Sequence, residues 1–195
     1  MFSVALKALT VLLSVSALAG AAPLQTRQSK PCFVTGSVAL PAEVSSGLDA
    51  LSKSITCDAT KQVAPGVPDV TSGGISFSSI DFQKSKLSPV GFALATFPTP
   101  DDPAQADTAK LQNQLNVYLA VEAGVRSQPN SSALLAKLKG AKFFLQFQMS
   151  RALAAQGKTL SVADTVDHQL GKVTKNAVGA TAAEIAQVNA LAKKV

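Results

Sequence analysis

LNVYLAVEAGVR, Leu115 to Arg126, decides how this chain is read. On an α-helix successive residues turn by about 100°. That rotation gathers Leu111, Leu115, Tyr118, Leu119 and Val125 into one apolar stripe, and Glu122 and Arg126 project into the middle of it. A lone buried carboxylate is costly, so it pairs or stays protonated. The i,i+4 spacing lets the two side chains reach each other along the helix. Two readings follow. In the first, the charges neutralise each other inside a core, joined by Arg151 from the next helix, with Gln146 and Gln148 completing the hydrogen bonds. In the second, Glu122, Arg126, Arg151 and Tyr118 form the polar part of a ligand pocket, or Glu122 acts as a general acid or base. The first reading carries more weight.

Working outward, Asp102 precedes Pro103, and Gln105 occupies the third helical position, which is capping-box geometry. The helix therefore runs from about 103 to 126. A second long helix spans about 132–156. It carries Leu134, Leu138, Ala141, Leu145, Met149 and Ala152 on one face and Phe143 and Phe147 nearly opposite. A helix apolar on two sides packs centrally. Gly140 inside it costs about 1 kcal/mol against Ala and suits a close helix crossing. Leu40, Val44, Leu48, Leu51 and Ile55 predict a helix over 41–54, with Pro41 in its first turn. Val162, Val166, Leu170, Val173 and Ala177 predict another over 161–177.

Ser88-Pro89 caps a short helix through VGFALATF. Thr181-x-x-Glu184 opens a terminal helix with a capping box. Between these elements, VAPGVPDVTSGG reads as turns. ISFSSIDF reads as a strand with a bulge at Ser78-Ser79, paired with Thr60–Val63 or Val67–Thr71. The expected fold is mainly α: a helical bundle-like single domain with a small β element and one disulfide. The pair 103–126 and 132–156 forms its core, covered by the 41–54 and 161–177 helices. The domain is placed at 31–178, with 179–195 as a C-terminal helical tail.

The first residues speak to destination. Lys7, an apolar run from Ala8 to Ala19 and the small residues Ala19-Gly20-Ala21 read as a signal peptide over 1–21. The run falls short of the roughly 20 apolar residues of a membrane span. Residues 22–30 read as a disordered N-terminal segment, in which Arg27 is a weak processing site. The remaining residues, about 174, suit one domain. Cys32 and Cys57 are the two cysteines. In an oxidising compartment such a pair most often bridges, with two free buried thiols as the alternative. Asn130-Ser131-Ser132 is an N-glycosylation sequon in an interhelical loop.

The formal net charge is +6, and loss of Lys7 with the signal takes it to +5. The lysines are dispersed, except for Lys137, Lys139 and Lys142, Lys84 and Lys86, and Lys193-Lys194, which read as solvated basic faces, and the chain has one Tyr and no Trp. That pattern argues against a nucleic-acid face, which concentrates charge beside stacking aromatics. His168 is the only histidine and lies away from its helix's apolar stripe, as a surface residue. A G-x-S-x-G elbow and an H-E-x-x-H pair are both missing, so neither a Ser-His-Asp hydrolase nor a metal centre is expected. No cofactor is expected. Asp69 and Asp81 flank the glycine-containing TSGG turn in turn and strand-end roles.

Several strings resemble a family of small secreted fungal proteins of uncharacterised function. They include CFVTGSVALPAEV, ITCDATK, VPDVTSGGISFSSIDF, LQNQLNVYLAVEAGVRS and KFFLQFQMSRALAAQGK, and the likeness covers about 31–178. The resemblance implies a secreted fungal origin and pairing of Cys32 with Cys57. It brings no catalytic residue with it. The expected function is a non-enzymatic extracellular role, by contact with a cell-wall or host extracellular component. A carrier of a small apolar or amphipathic ligand comes second, and a hydrolase using Glu122 third. A carrier needs a cavity of roughly 300 Å³ or more that reaches Glu122.

Overall fold

A computed structural model describes residues 30–195. The expected signal at 1–21 and the segment 22–29 lie outside the described residues. Among the described residues, seven α-helices and a three-stranded sheet follow one another. The fold is mainly helical with a small β element and one disulfide, as the residue pattern implied.

The helix of the opening stretch is α4, Thr108–Ser127. It starts where the Asp107 carboxylate accepts the Lys110 N–H at 2.9 Å. Asp102 instead caps a separate 3-10 turn, Pro103–Gln105, which Ala106 ends in extended conformation. The helix expected from residue 103 is therefore a turn and then a helix, each with its own aspartate cap. The loop 128–131 contains Asn130 in the left-handed region, φ 59°. The chain then returns as α5, Ser132–Ala155.

Helix α5 is central. It packs against α4, against α3 (Pro89–Thr96) and against α6 (Val166–Lys175). Gly140 makes the crossing possible. A Cβ there would stand 3.2 Å from the Asn176 carbonyl oxygen and 3.2 Å from Pro89 Cβ. The helix expected over 161–177 is shorter than its pattern, because Val162–Asp164 form a 3-10 turn and Thr165 is extended before α6 begins. The helix expected over 41–54 is two pieces, α1 (Ala42–Ser45) and α2 (Leu48–Ser52), parted at Ser46-Gly47. Glycine in a helix interior is unfavourable, and neither piece buries a residue fully.

Strands β1 (Thr56–Ala64), β2 (Val67–Ser72) and β3 (Ile75–Ser76) form an antiparallel meander in that order. Pro65-Gly66 makes the first turn, with Gly66 at φ 72°. Of the two expected partners for the strand at 75–82, Val67–Thr71 is the one that pairs: it lies in β2, which pairs with β3, whereas Thr60–Val63 lies in β1, which pairs with β2 instead. The bulged strand over 75–82 does not form. After Ser76 the chain enters 3-10 turns at Phe77–Ser79 and Phe82–Lys84. Carboxylates replace the strand ladder: Asp69 accepts the Ser78 N–H at 3.0 Å and Asp81 the Gln83 N–H at 2.9 Å. Such local side-chain bonds compete with a sheet. The result still turns Phe77, Ile80 and Phe82 inward.

Strand β2 buries Val67 and Val70 against α4. Cys32 and Cys57 are bridged, Cα to Cα 6.1 Å, tying the N-terminal segment to β1. That segment lies so close to the end of α4 that a Cβ on Gly36 would collide with the Ser127 carbonyl oxygen. Helix α7, Ala182–Ala192, packs on α3 and α6 and buries Val188. Its Thr181–Glu184 capping box is present, and Glu184 Oε2 also accepts from Ser88 Oγ at 2.9 Å. Ser88 in turn caps α3 by accepting the Gly91 N–H. No helix among the described residues is long and apolar enough to cross a membrane.

Candidate functional site

Glu122 is 2% exposed, on the buried side of α4. Its Oε1 accepts from Arg126 Nε at 3.1 Å and Nη2 at 3.0 Å, and its Oε2 accepts from Lys142 Nζ at 2.7 Å. The carboxylate is thus satisfied on both oxygens by two cations. Charge-assisted bonds of this kind are about twice as strong as neutral ones. The third member is Lys142 of α5 rather than Arg151. The helical repeat explains the substitution. Arg151 lies nine residues after Lys142, which is half a turn around the helix and about 13 Å along it. Lys142 follows Leu138 by four residues and precedes Leu145 by three, on the buried stripe itself. That spacing was visible, but Lys142 reads at first as one of a surface group with Lys137 and Lys139.

The expected glutamine partners also fall elsewhere. Gln148 donates from Nε2 to the Phe97 carbonyl, and its Oε1 accepts from Arg151 Nη1 at 2.6 Å. Gln146 Oε1 is buried without a hydrogen-bond partner. Tyr118 donates to the Ile80 carbonyl at 2.8 Å and stacks edge-on against Phe77 and Phe97, with centroids 5.1 Å and 5.8 Å away. Arg151 is fully buried and bonds only neutral oxygens, those of Thr99, Gln148 and the Lys194 backbone. The structure thus brings Glu122 and Arg126 together and places Tyr118 and Arg151 in separate surroundings.

Glu122, Arg126 and Lys142 form part of the floor of a cleft of about 650 Å³. Helices α1 and α2 supply an apolar edge of Val44, Leu48 and Leu51, each half-buried; Leu119 and Phe143 continue it from α4 and α5. Lys139 of α5 and Lys172 and Lys175 of α6 also line it. The cleft therefore gathers five cationic side chains, and its two carboxylates are Glu43 and Glu122. The Phe143 ring has the Lys142 ammonium 4.1 Å from its centroid and that of Lys172 at 5.5 Å, both within cation–π range.

Burial pushes the Lys142 ammonium below its ordinary value, Glu122 opposes that shift, and the neighbouring charges of Arg126 and Lys139 reinforce it. Burial raises the Tyr118 phenol well above its usual value and lowers Arg151. For catalysis Glu122 is badly placed: neither oxygen is free to take a proton from a substrate. His168 is exposed on α6. Among the described residues no group of three or more His, Cys, Asp or Glu side chains is placed to hold a metal ion.

The family described as a domain of unknown function (DUF7143) matches residues 34–195, and the chain belongs to that family. No curated protein and no solved structure matches the chain.

Proposed function

We propose that this member of the family acts outside the cell as a non-enzymatic binding protein that takes a small amphipathic molecule into the Glu122 cleft. The observation that carries the reading is the cleft itself. It exceeds the roughly 300 Å³ that a small ligand needs, it reaches Glu122, and it sets an apolar edge against a cationic floor. An apolar edge left half-covered by the protein's own side chains is the kind of surface that a ligand's hydrocarbon completes. Export from the cell is supported by the signal pattern over 1–21, the Cys32–Cys57 bridge and the exposed sequon residue Asn130. A fungal origin rests on the family resemblance in the sequence.

The test is titration with N-phenyl-1-naphthylamine, a neutral apolar fluorophore. Saturable binding at one site per chain is expected, and Leu48→Asp, at a half-buried position, should weaken it at least about tenfold, or about 1.4 kcal/mol. Unchanged binding in Leu48→Asp, or no saturable binding at all, removes the cleft as the site.

A second reading has an observation of its own. Leu87 and Val178 are 53% and 46% exposed and share one surface depression with Lys86 and Lys137. That patch suits contact with a cell-wall or host component.

A further inference from the structure

The ion cluster on the cleft floor is balanced unevenly. Glu122 is consumed by Arg126 and Lys142. Lys139, Lys172 and Lys175 line the same cleft, and none of them forms an ion pair among the described residues. Like charges gathered in a recess repel one another, and the repulsion grows where water is partly excluded. On an open surface lysines spread apart and salt screens them. Here α5 and α6 fix their backbones, and the Gly140 crossing holds those two helices close. The same cleft is lined by Leu48, Leu51 and Leu119, which offer nothing polar, and by the carboxylate of Glu43 at the start of α1. One molecule that answers both walls has a hydrocarbon chain and a negative end.

We infer that the cleft binds a single-chain amphiphile with an anionic head group, its chain along Val44, Leu48, Leu51 and Leu119 and its head between Lys139, Lys172 and Lys175. The inference rests on the binding role proposed above and adds the sign of the ligand's charge. A free molecule fits better than a membrane surface, because the cations sit in a cleft between helices and the apolar residues line its edge rather than project from it. The Phe143 ring, which also lines the cleft, has the Lys142 and Lys172 ammonium groups 4.1 Å and 5.5 Å from its centroid.

The experiment is displacement of bound N-phenyl-1-naphthylamine by three twelve-carbon competitors, all below their aggregation limits: laurate, dodecanol and dodecyltrimethylammonium. Laurate should displace the probe at a concentration at least about tenfold lower than dodecanol, and the cation should be the weakest. The double variant Lys172→Gln/Lys175→Gln should erase the preference for laurate while leaving dodecanol unchanged. Melting temperature is followed in parallel, so loss of fold is recognised. Equal potency of laurate and dodecanol overturns the anionic head while sparing the cleft as a binding site. A laurate preference that survives in the double variant overturns the assignment to these lysines. Failure of the probe itself to bind removes the binding role and this inference together. Binding to phosphatidylglycerol vesicles with no displacement by monomeric laurate overturns the free-molecule ligand.

Discussion

Two buried cations on α5, nine residues apart and on opposite sides of the helix, are handled in opposite ways. Lys142 faces a carboxylate that already holds Arg126. Arg151 faces no carboxylate, and three neutral oxygens share its guanidinium, while its Nε has no partner. The difference lies in the charge groups themselves. An ammonium is a compact point charge that is strongly hydrated, and it needs a counter-charge to replace its water. A guanidinium spreads its charge over a plane with five donors and is more weakly hydrated, so scattered carbonyl, hydroxyl and amide oxygens can stand in. Phe147 adds a ring face, with the guanidinium carbon 5.7 Å from its centroid. One region is therefore an ion cluster at the base of a cleft, and the other is a hydrogen-bonded brace between α5, residues 97–99 and the end of the chain.

The largest effect should come from Glu122→Gln, which leaves Lys142 buried without a counter-charge. A loss of about 3–5 kcal/mol is expected, read as a lower midpoint in chemical denaturation with an unchanged slope. Arg151→Met should cost less, about 1–2 kcal/mol. It strands the Gln148 and Lys194 oxygens but deletes the buried charge along with its hydrogen bonds. If the two variants lose equal stability, the contrast between ammonium and guanidinium fails.

The smallest effect lies in alkali. The folded pKa of Lys142 is below 10.5, so between that lowered value and 10.5 the unfolded chain binds more protons than the folded one. Stability from this group therefore rises with pH across that window. The Tyr118 phenol has the opposite sign. Its folded pKa lies above 10.0, so above pH 10 the unfolded chain ionises first and stability falls. Stability against pH for Lys142→Met should lack the rise, and that for Tyr118→Phe should lack the fall. Profiles identical to the parent would show that burial does not govern either group.

Much of this architecture is legible before any coordinates. Helices α4 and α5 announce themselves through long apolar stripes, and Ser88-Pro89 and Thr181-x-x-Glu184 mark the starts of α3 and α7 through local chemistry. Glu122 and Arg126 are legible as partners because i,i+4 spacing is a property of one helix. What fails is what depends on two segments at once. Lys142 meets Glu122 only because α4 and α5 pack side by side, and no spacing within one helix reports that. The expected contact of Arg151 with Glu122 fails for the same reason. The strand expected over 75–82 gives way to 3-10 turns after Ser76, where the apolar residues are buried without a ladder. Asp69 and Asp81, which settle the matter, act through the backbone amides of Ser78 and Gln83. The break at Gly47 was hidden by apolar residues that keep their helical spacing across it.

The shared carboxylate of Glu184 has a consequence for the order of assembly. Ser88, which caps α3, donates its hydroxyl to Glu184, a residue 96 positions later in the chain. During synthesis α3 is complete long before that residue leaves the ribosome, so its start remains without this support until Glu184 has emerged. The same carboxylate closes the cap of α7 through the Thr181 N–H. A later helix thus supports the start of an earlier one, and one carboxylate serves both caps.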